Sequence, residues 1–313
     1  MINTNKGNWK VFEMDLQSMI NSYLEVGAAL ALGQIIPEKA AYRFVNFVAH
    51  RIVSNPNRAM VKAVRANQWV ISGEKLSPAE LDRRILAVFG SIGCSLFDFY
   101  HNLRNLKRIR QFVIFSPRFQ AVFQERLEAK QGAIFIAPHT SAFDLAGVAL
   151  ALNGLRFQTL SFPNVNDGYA WQNRIRRHLG LEVTPLSMSS LQLARVRLQK
   201  GGTVLSGLDR PHPGSNYKPR FFGRPAALPV FHIRLGLRNE CPIYVVGVLT
   251  QPDGKYNIDC SEPIWMKPHR NPNVEIISNA EKVLQAGEIF IRKAPEQWAM
   301  TYPVWPEVMN VVP

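Results

Sequence analysis

An α/β fold with a central mixed, mostly parallel sheet flanked by helices is what the sequence predicts, and three observations predict it. Short uninterrupted apolar runs recur at 133–137, 203–205 and 242–249, the pattern of strands buried on both faces. Segments with helical spacing lie between those runs. The first 130 residues read mostly as helix, a segment expected to pack on the sheet.

In chain order, Leu16, Met19, Ile20, Tyr23, Leu24 and Gly27 recur at helical spacing, as do Leu81, Ile85, Leu86, Phe89 and Ile92. A helix over 117–129 stops near Gln131–Gly132. The strand 133–137 (AIFIA) follows, then a helix over 142–152, a strand over 156–162 and a helix over 168–179. A short strand at 181–185, a helix at 191–198 and a strand at 203–205 come next, the last ending near Leu208–Asp209. The strongest strand is 242–249 (PIYVVGVL), with 256–258 pairing beside it and a final helix over 272–292. The expected division is 1–130, helical and membrane-associating, and 131–313, the α/β core, the two forming one unit.

Composition narrows the function classes. The 313 residues are 47% hydrophobic and 19% charged, which excludes a disordered chain. Lysine and arginine number 37 against 23 acidic residues, a net charge of +14 that calls for an anionic partner. Cys94, Cys241 and Cys260 form neither a CxxC pair nor a metal-ligand spacing, so a reducing compartment is expected and no metal. No signal peptide is read at the N-terminus. The segment 26–36 (VGAALALGQII) has eleven uncharged residues, against about 20 needed to span a bilayer. It reads either as a core helix or as one lying in a single leaflet.

The sharpest chemical feature is 137–144, APHTSAFD. His139 directly follows a buried strand, where open α/β sheets bind their ligands. With His139 in the loop and Asp144 in the first helical turn, the carboxylate would fold back onto the imidazole. It would fix the tautomer and leave the other nitrogen free to accept a hydroxyl proton. Ser141 to Asp144 also fits a helix capping box. Later segments supply further polar groups: Asn173 to Gly180 with Arg176 and Arg177, then Asp209, then Phe221-Phe222-Gly223-Arg224-Pro225-Ala226 preceded by Arg220. From Arg210 to Arg238 there are six basic residues and no acidic one, a run that is either a solvated face or the border of the same cleft.

Four of these places, His139 to Asp144, Arg176 to Gly180, Asp209 with Phe221 to Ala226, and Ala294-Pro295-Glu296-Gln297-Trp298, occur together in order. On them the chain, over about 132–298, resembles the bacterial lipid A biosynthesis acyltransferases of the lysophospholipid acyltransferase superfamily. The resemblance implies a glycerolipid acyltransferase-like fold and transfer of a fatty acyl group from acyl carrier protein or acyl-CoA to a hydroxyl of a lipid or glycolipid. His139 would be the general base and Asp144 its orienting acid. Arg176, Arg177, Arg220 and Arg224 would grip phosphate, and Asp209 would bind substrate, hold Arg210 or Arg176, or only terminate its strand. No cofactor beyond the acyl thioester co-substrate is implied. The implied location is the cytoplasmic face of the bacterial inner membrane, peripheral or monotopic, against an anionic surface, with no nucleic acid. Three departures stand out: the N-terminal membrane helix is weak, Ser141 replaces a glycine common in the family, and 302–306 replaces its basic ending. The alternatives are a glycerol-phosphate or lysophospholipid acyltransferase and a basic nucleic-acid-binding protein. A serine hydrolase lacks its G-x-S-x-G turn here, and the seven histidines are dispersed.

Overall fold

The computed structural model describes residues 36–103, 105–140, 143–162 and 167–313. The expected helix over 16–27 and the segment 26–35 lie outside them. Four helices open the described chain: α1 (Glu38–Val53), α2 (Ala59–Ile71), α3 (Pro78–Asn102) and α4 (Leu106–Phe112). Then come β1 (Val113–Phe115), α5 (Pro117–Leu127), β2 (Ala133–Ala137), α6 (Phe143–Leu152), β3 (Phe157–Ser161), α7 (Asp167–His178) and β4 (Glu182–Pro185). The remainder is α8 (Met188–Gln199), β5 (Thr203–Gly207), the pair β6 (Arg220–Phe221) and β7 (Arg224–Pro225), α9 (Phe231–Asn239), β8 (Ile243–Thr250), β9 (Tyr256–Cys260) and α10 (Pro272–Lys293).

Seven strands form one sheet in the order β1-β9-β8-β2-β5-β3-β4. All neighbours are parallel except β8 and β9, so the sheet is mixed and mostly parallel. The segment 1–130 is not helical throughout: it contributes β1, whose three residues pair with Tyr256, Asn257 and Ile258. A three-residue strand leaves no period in the sequence, which is why it was missed.

Side chains alternate between two faces. Ile134, Ile136, Val204 and Val245 point to one core with α2, α8, α9 and α10; Ala133, Phe135, Phe157 and Val246 point to the other with α4, α5, α6 and α7. Helix starts are set by local chemistry. Ser77 and Glu80 form a reciprocal capping box ahead of α3, with Pro78 at its first position. Asn271 caps α10 by accepting from the N–H groups of Asn273 and Val274.

Two buried titratable groups lie in the packing. Asp98 on α3 accepts hydrogen bonds from Tyr42 of α1, at 2.7 Å, and from Tyr256 of β9. Burial pushes its carboxyl above the usual carboxylate range. His232 on α9 is fully buried, and its Nδ1 has no partner among the described residues. Burial pushes its pKa down to about 3, against about 6.5 in an unfolded chain. Below roughly pH 6.5 the unfolded chain gains a proton that the fold refuses, so stability is full above that pH and falls as pH drops towards 3, by up to about 1.4 kcal/mol per unit. Thermal unfolding of wild type and His232→Leu at pH 7.5 and pH 5 checks this. The variant is expected to lose less stability on acidification, and an identical loss would remove His232 as a cause.

Candidate active site

His139 stands where β2 ends. Pro138 cannot donate to a ladder and terminates the strand. The next residues are pinned from both sides. The His139 N–H donates to both carboxylate oxygens of Asp209, at 3.0 and 3.2 Å, and its carbonyl accepts from the Ala299 N–H at 2.8 Å. Thr140 bridges to Trp298. The imidazole is thus carried on fixed backbone.

Asp209 occupies Nδ1 of that imidazole. The distance from Nδ1 to Oδ1 is 2.5 Å, and Oδ2 accepts from the Trp298 indole Nε1 at 2.5 Å. Asp209 is 0% exposed. A carboxylate only accepts, so the Nδ1 proton lies towards it and Nε2 is left as the basic nitrogen. The register explains the meeting: Ala137 pairs with Gly207, and His139 and Asp209 are each two residues beyond that pair.

This corrects the expectation for Asp144. Its carboxylate is held by Arg176, with Nε to Oδ1 at 2.8 Å and Nη2 to Oδ2 at 3.1 Å. Arg176 also donates to Asn173 Oδ1 at 2.8 Å and is itself buried. A bidentate guanidinium saturates the carboxylate in the geometry it prefers, while Asp209 fills the place at Nδ1. Asp144, Arg176 and His139 nevertheless line the same cavity. Ser141, the first residue of the capping-box alternative, lies outside the described residues.

The other expected phosphate ligands lie elsewhere. Arg177 is exposed, donates back to Asn173 O within its own helix and does not line the cavity. Arg220 and Arg224 sit on the β6–β7 hairpin outside it, and Arg224 is paired with Glu74. The motif around them shapes a hairpin. Phe222 (φ 50°) and Gly223 (φ 78°) form a two-residue turn with both residues left-handed, as tight hairpins require. The turn places Phe221 and Phe222 against Trp298 and Trp305; Phe221 stacks on Trp305 with ring centroids 5.7 Å apart. The aromatic cluster therefore sets the indole that holds Asp209.

Gly207 completes the site. A Cβ there would lie 2.5 Å from His139 Cε1 and 3.1 Å from Nε2. The Cε1 corner of the ring lies against the glycine, and no larger residue leaves it in place. Gly207→Ala is expected to lower turnover about 100-fold, the usual cost of a displacement near 1 Å, with an unchanged far-UV spectrum. Wild-type turnover in this variant would show that the imidazole does not need this seat.

The cavity encloses about 730 Å³ and crosses the carboxyl edge of the sheet, reaching both faces. On the α6 face it is lined by Ala146, Leu150, Phe157, Leu181, Leu205 and Val246, all apolar. On the opposite face it runs between α8 and α9 past Leu191, Phe231 and Leu235. The hydroxyls of Thr159 and Ser161 line it, buried and without a partner among the described residues. Sequence reading missed Gly207, Ser161 and Trp298 as site residues, because strand pairing brings the first two to the cavity and a distant C-terminal segment brings the third to Asp209.

An apolar channel beside an imidazole whose Nε2 is left basic suits the handling of fatty acyl groups. That places the chain in a class, the α/β acyltransferases. The family model for bacterial lipid A biosynthesis acyltransferase matches residues 12–306, and the chain belongs to that family. No curated protein matches the chain significantly. The family is one of acyl transfer onto a lipid. No helix among the described residues is long and apolar enough to cross a membrane.

Proposed function

We propose that the protein moves a fatty acyl chain from a thioester, on acyl carrier protein or coenzyme A, to a hydroxyl of a lipid or glycolipid, with His139 as general base. The observation that carries this reading is His139 itself, whose Nδ1 is engaged by buried Asp209 and whose ring lines an apolar cavity. Nε2 takes the proton as the acceptor oxygen attacks the thioester carbonyl. Asp209 holds the tautomer and balances the imidazolium that forms. The carbonyl π electrons move onto oxygen, and the tetrahedral oxyanion faces the fixed positive charge of Arg176, which Asp144 and Asn173 hold in place. Collapse expels the thiolate, which takes the proton back from Nε2. No protein nucleophile and no metal step enters this sequence.

The acyl chain lies in the arm beneath α6, where burial of each methylene is worth about 0.8 kcal/mol. The protein works at an anionic membrane surface. Phe44 and Phe47 on α1 are 61% and 62% exposed, with Lys39, Arg43 and Arg51 on the same exposed helix. Aromatic side chains flanked by basic ones make an interfacial anchor. Radiolabelled acyl transfer tests the reading, with acyl carrier protein and coenzyme A thioesters offered against glycolipid, lysophospholipid and glycerol-phosphate acceptors. A labelled ester with a glycolipid is expected. Label passing to none of these acceptors would overturn the proposal.

A further inference from the structure

The arm of the cavity on the far face of the sheet is not neutral. Helices α8 and α9 each turn one stripe towards it: Met188, Leu191, Gln192 and Arg195 from the first, Phe231, Arg234, Leu235 and Arg238 from the second. Both stripes follow the i, i+3, i+4, i+7 spacing that puts residues on one helix face. Both begin apolar and end in arginine, with the last residue about 10 Å along the helix from the first.

The arginines here differ from those the sequence motifs suggested. Arg176 and Arg224 are already engaged by a carboxylate, Asp144 and Glu74. Arg195, Arg234 and Arg238 have no carboxylate partner among the described residues. Arg234 is steadied by Tyr217, donating to its hydroxyl at 3.0 Å. A fourth, Arg210, lines the same cavity, held between the rings of Phe162 and Tyr302, 3.8 and 4.5 Å from their centroids. Three guanidinium groups thus line this arm, with Arg210 elsewhere on the same cavity wall, and the one carboxylate that lines the cavity among the described residues, Asp144, is already paired.

We infer that this arm is a phosphate-binding subsite, formed by Arg195, Arg234 and Arg238, that seats the phosphorylated end of a substrate whose acyl or hydroxyl group reaches His139. Guanidinium forks match phosphate oxygens two at a time, and the apolar start of each stripe leaves the intervening linker free of competing charge. The same chemistry occurs in two sources, the phosphopantetheine of a thioester donor and a phosphorylated sugar on a lipid acceptor. Phosphate binding itself does not depend on acyl transfer; only the assignment of the bound end to donor or acceptor rests on that reading.

The test measures binding without turnover. Wild type, the triple variant Arg195→Gln/Arg234→Gln/Arg238→Gln, and the surface control Arg270→Gln are titrated with inorganic pyrophosphate, 4′-phosphopantetheine and glucosamine 1-phosphate, after thermal melts confirm folding. Pyrophosphate is expected to bind the triple variant at least about tenfold more weakly than wild type, and the control is expected to match wild type. Selective loss of phosphopantetheine assigns the subsite to the donor, and selective loss of the sugar phosphate assigns it to the acceptor. Equal weakening in the triple variant and the control, or no difference between the triple variant and wild type, overturns the subsite. His139→Ala must keep pyrophosphate affinity if the inference holds, so failure of the acyltransferase reading and failure of the subsite are separable.

Discussion

Replacing His139 by alanine is expected to lower acyl transfer by about 10²–10⁴, the range that general-base catalysis contributes. The fold should survive. The side chain is 28% exposed, and the backbone hydrogen bonds to Asp209 and Ala299 do not need an imidazole. Donor binding should survive too, because neither cavity arm depends on the ring. The measurement is turnover of labelled thioester by a variant whose melting curve matches wild type to within a few degrees. Retained transfer would take the proton away from this nitrogen and with it the chemistry proposed above.

Asp209→Asn is expected to be nearly as damaging, by a different route. An amide oxygen can accept from Trp298 or from the imidazole, but the amide nitrogen then faces a second donor. One N–H loses its partner in a site with no water access, at about 1–3 kcal/mol of stability. The imidazole also loses its counter-charge and can turn to the other tautomer, which in a histidine–acid pair costs turnover of about 10²–10⁴. Asp144→Asn supplies the contrast. It loosens Arg176, so it is expected to weaken oxyanion stabilisation and cost less. If Asp144→Asn were the crippling change and Asp209→Asn the mild one, the roles assigned to the two acids would be reversed.

That reversal is what the sequence alone suggested, and the reason is instructive. His139 was legible because a continuous apolar strand points to its own end, and ligands gather there. Asp144 looked like its partner because it is five residues away. Asp209 is seventy residues away, and its pairing follows from β2 lying beside β5 in a register that periodicity does not encode. The core strands and most helices were readable for the same local reason that the contact was not. Helix α9 was missed because its nine residues include a glycine and no acidic residue, and follow a proline-rich loop. The arginines were assigned by motif, whereas the structure spends Arg224 and Arg176 on carboxylates and leaves Arg195, Arg234 and Arg238 without one among the described residues.

The cavity reaches His139 from both sides of the sheet, and this bears on the order of events. Where the charged end belongs to the acceptor, tail and charged end are seated along separate approaches, and neither substrate has to vacate the imidazole before the other arrives. Such a layout favours a ternary complex and direct handover in a single encounter, with no acyl group parked on the protein in between.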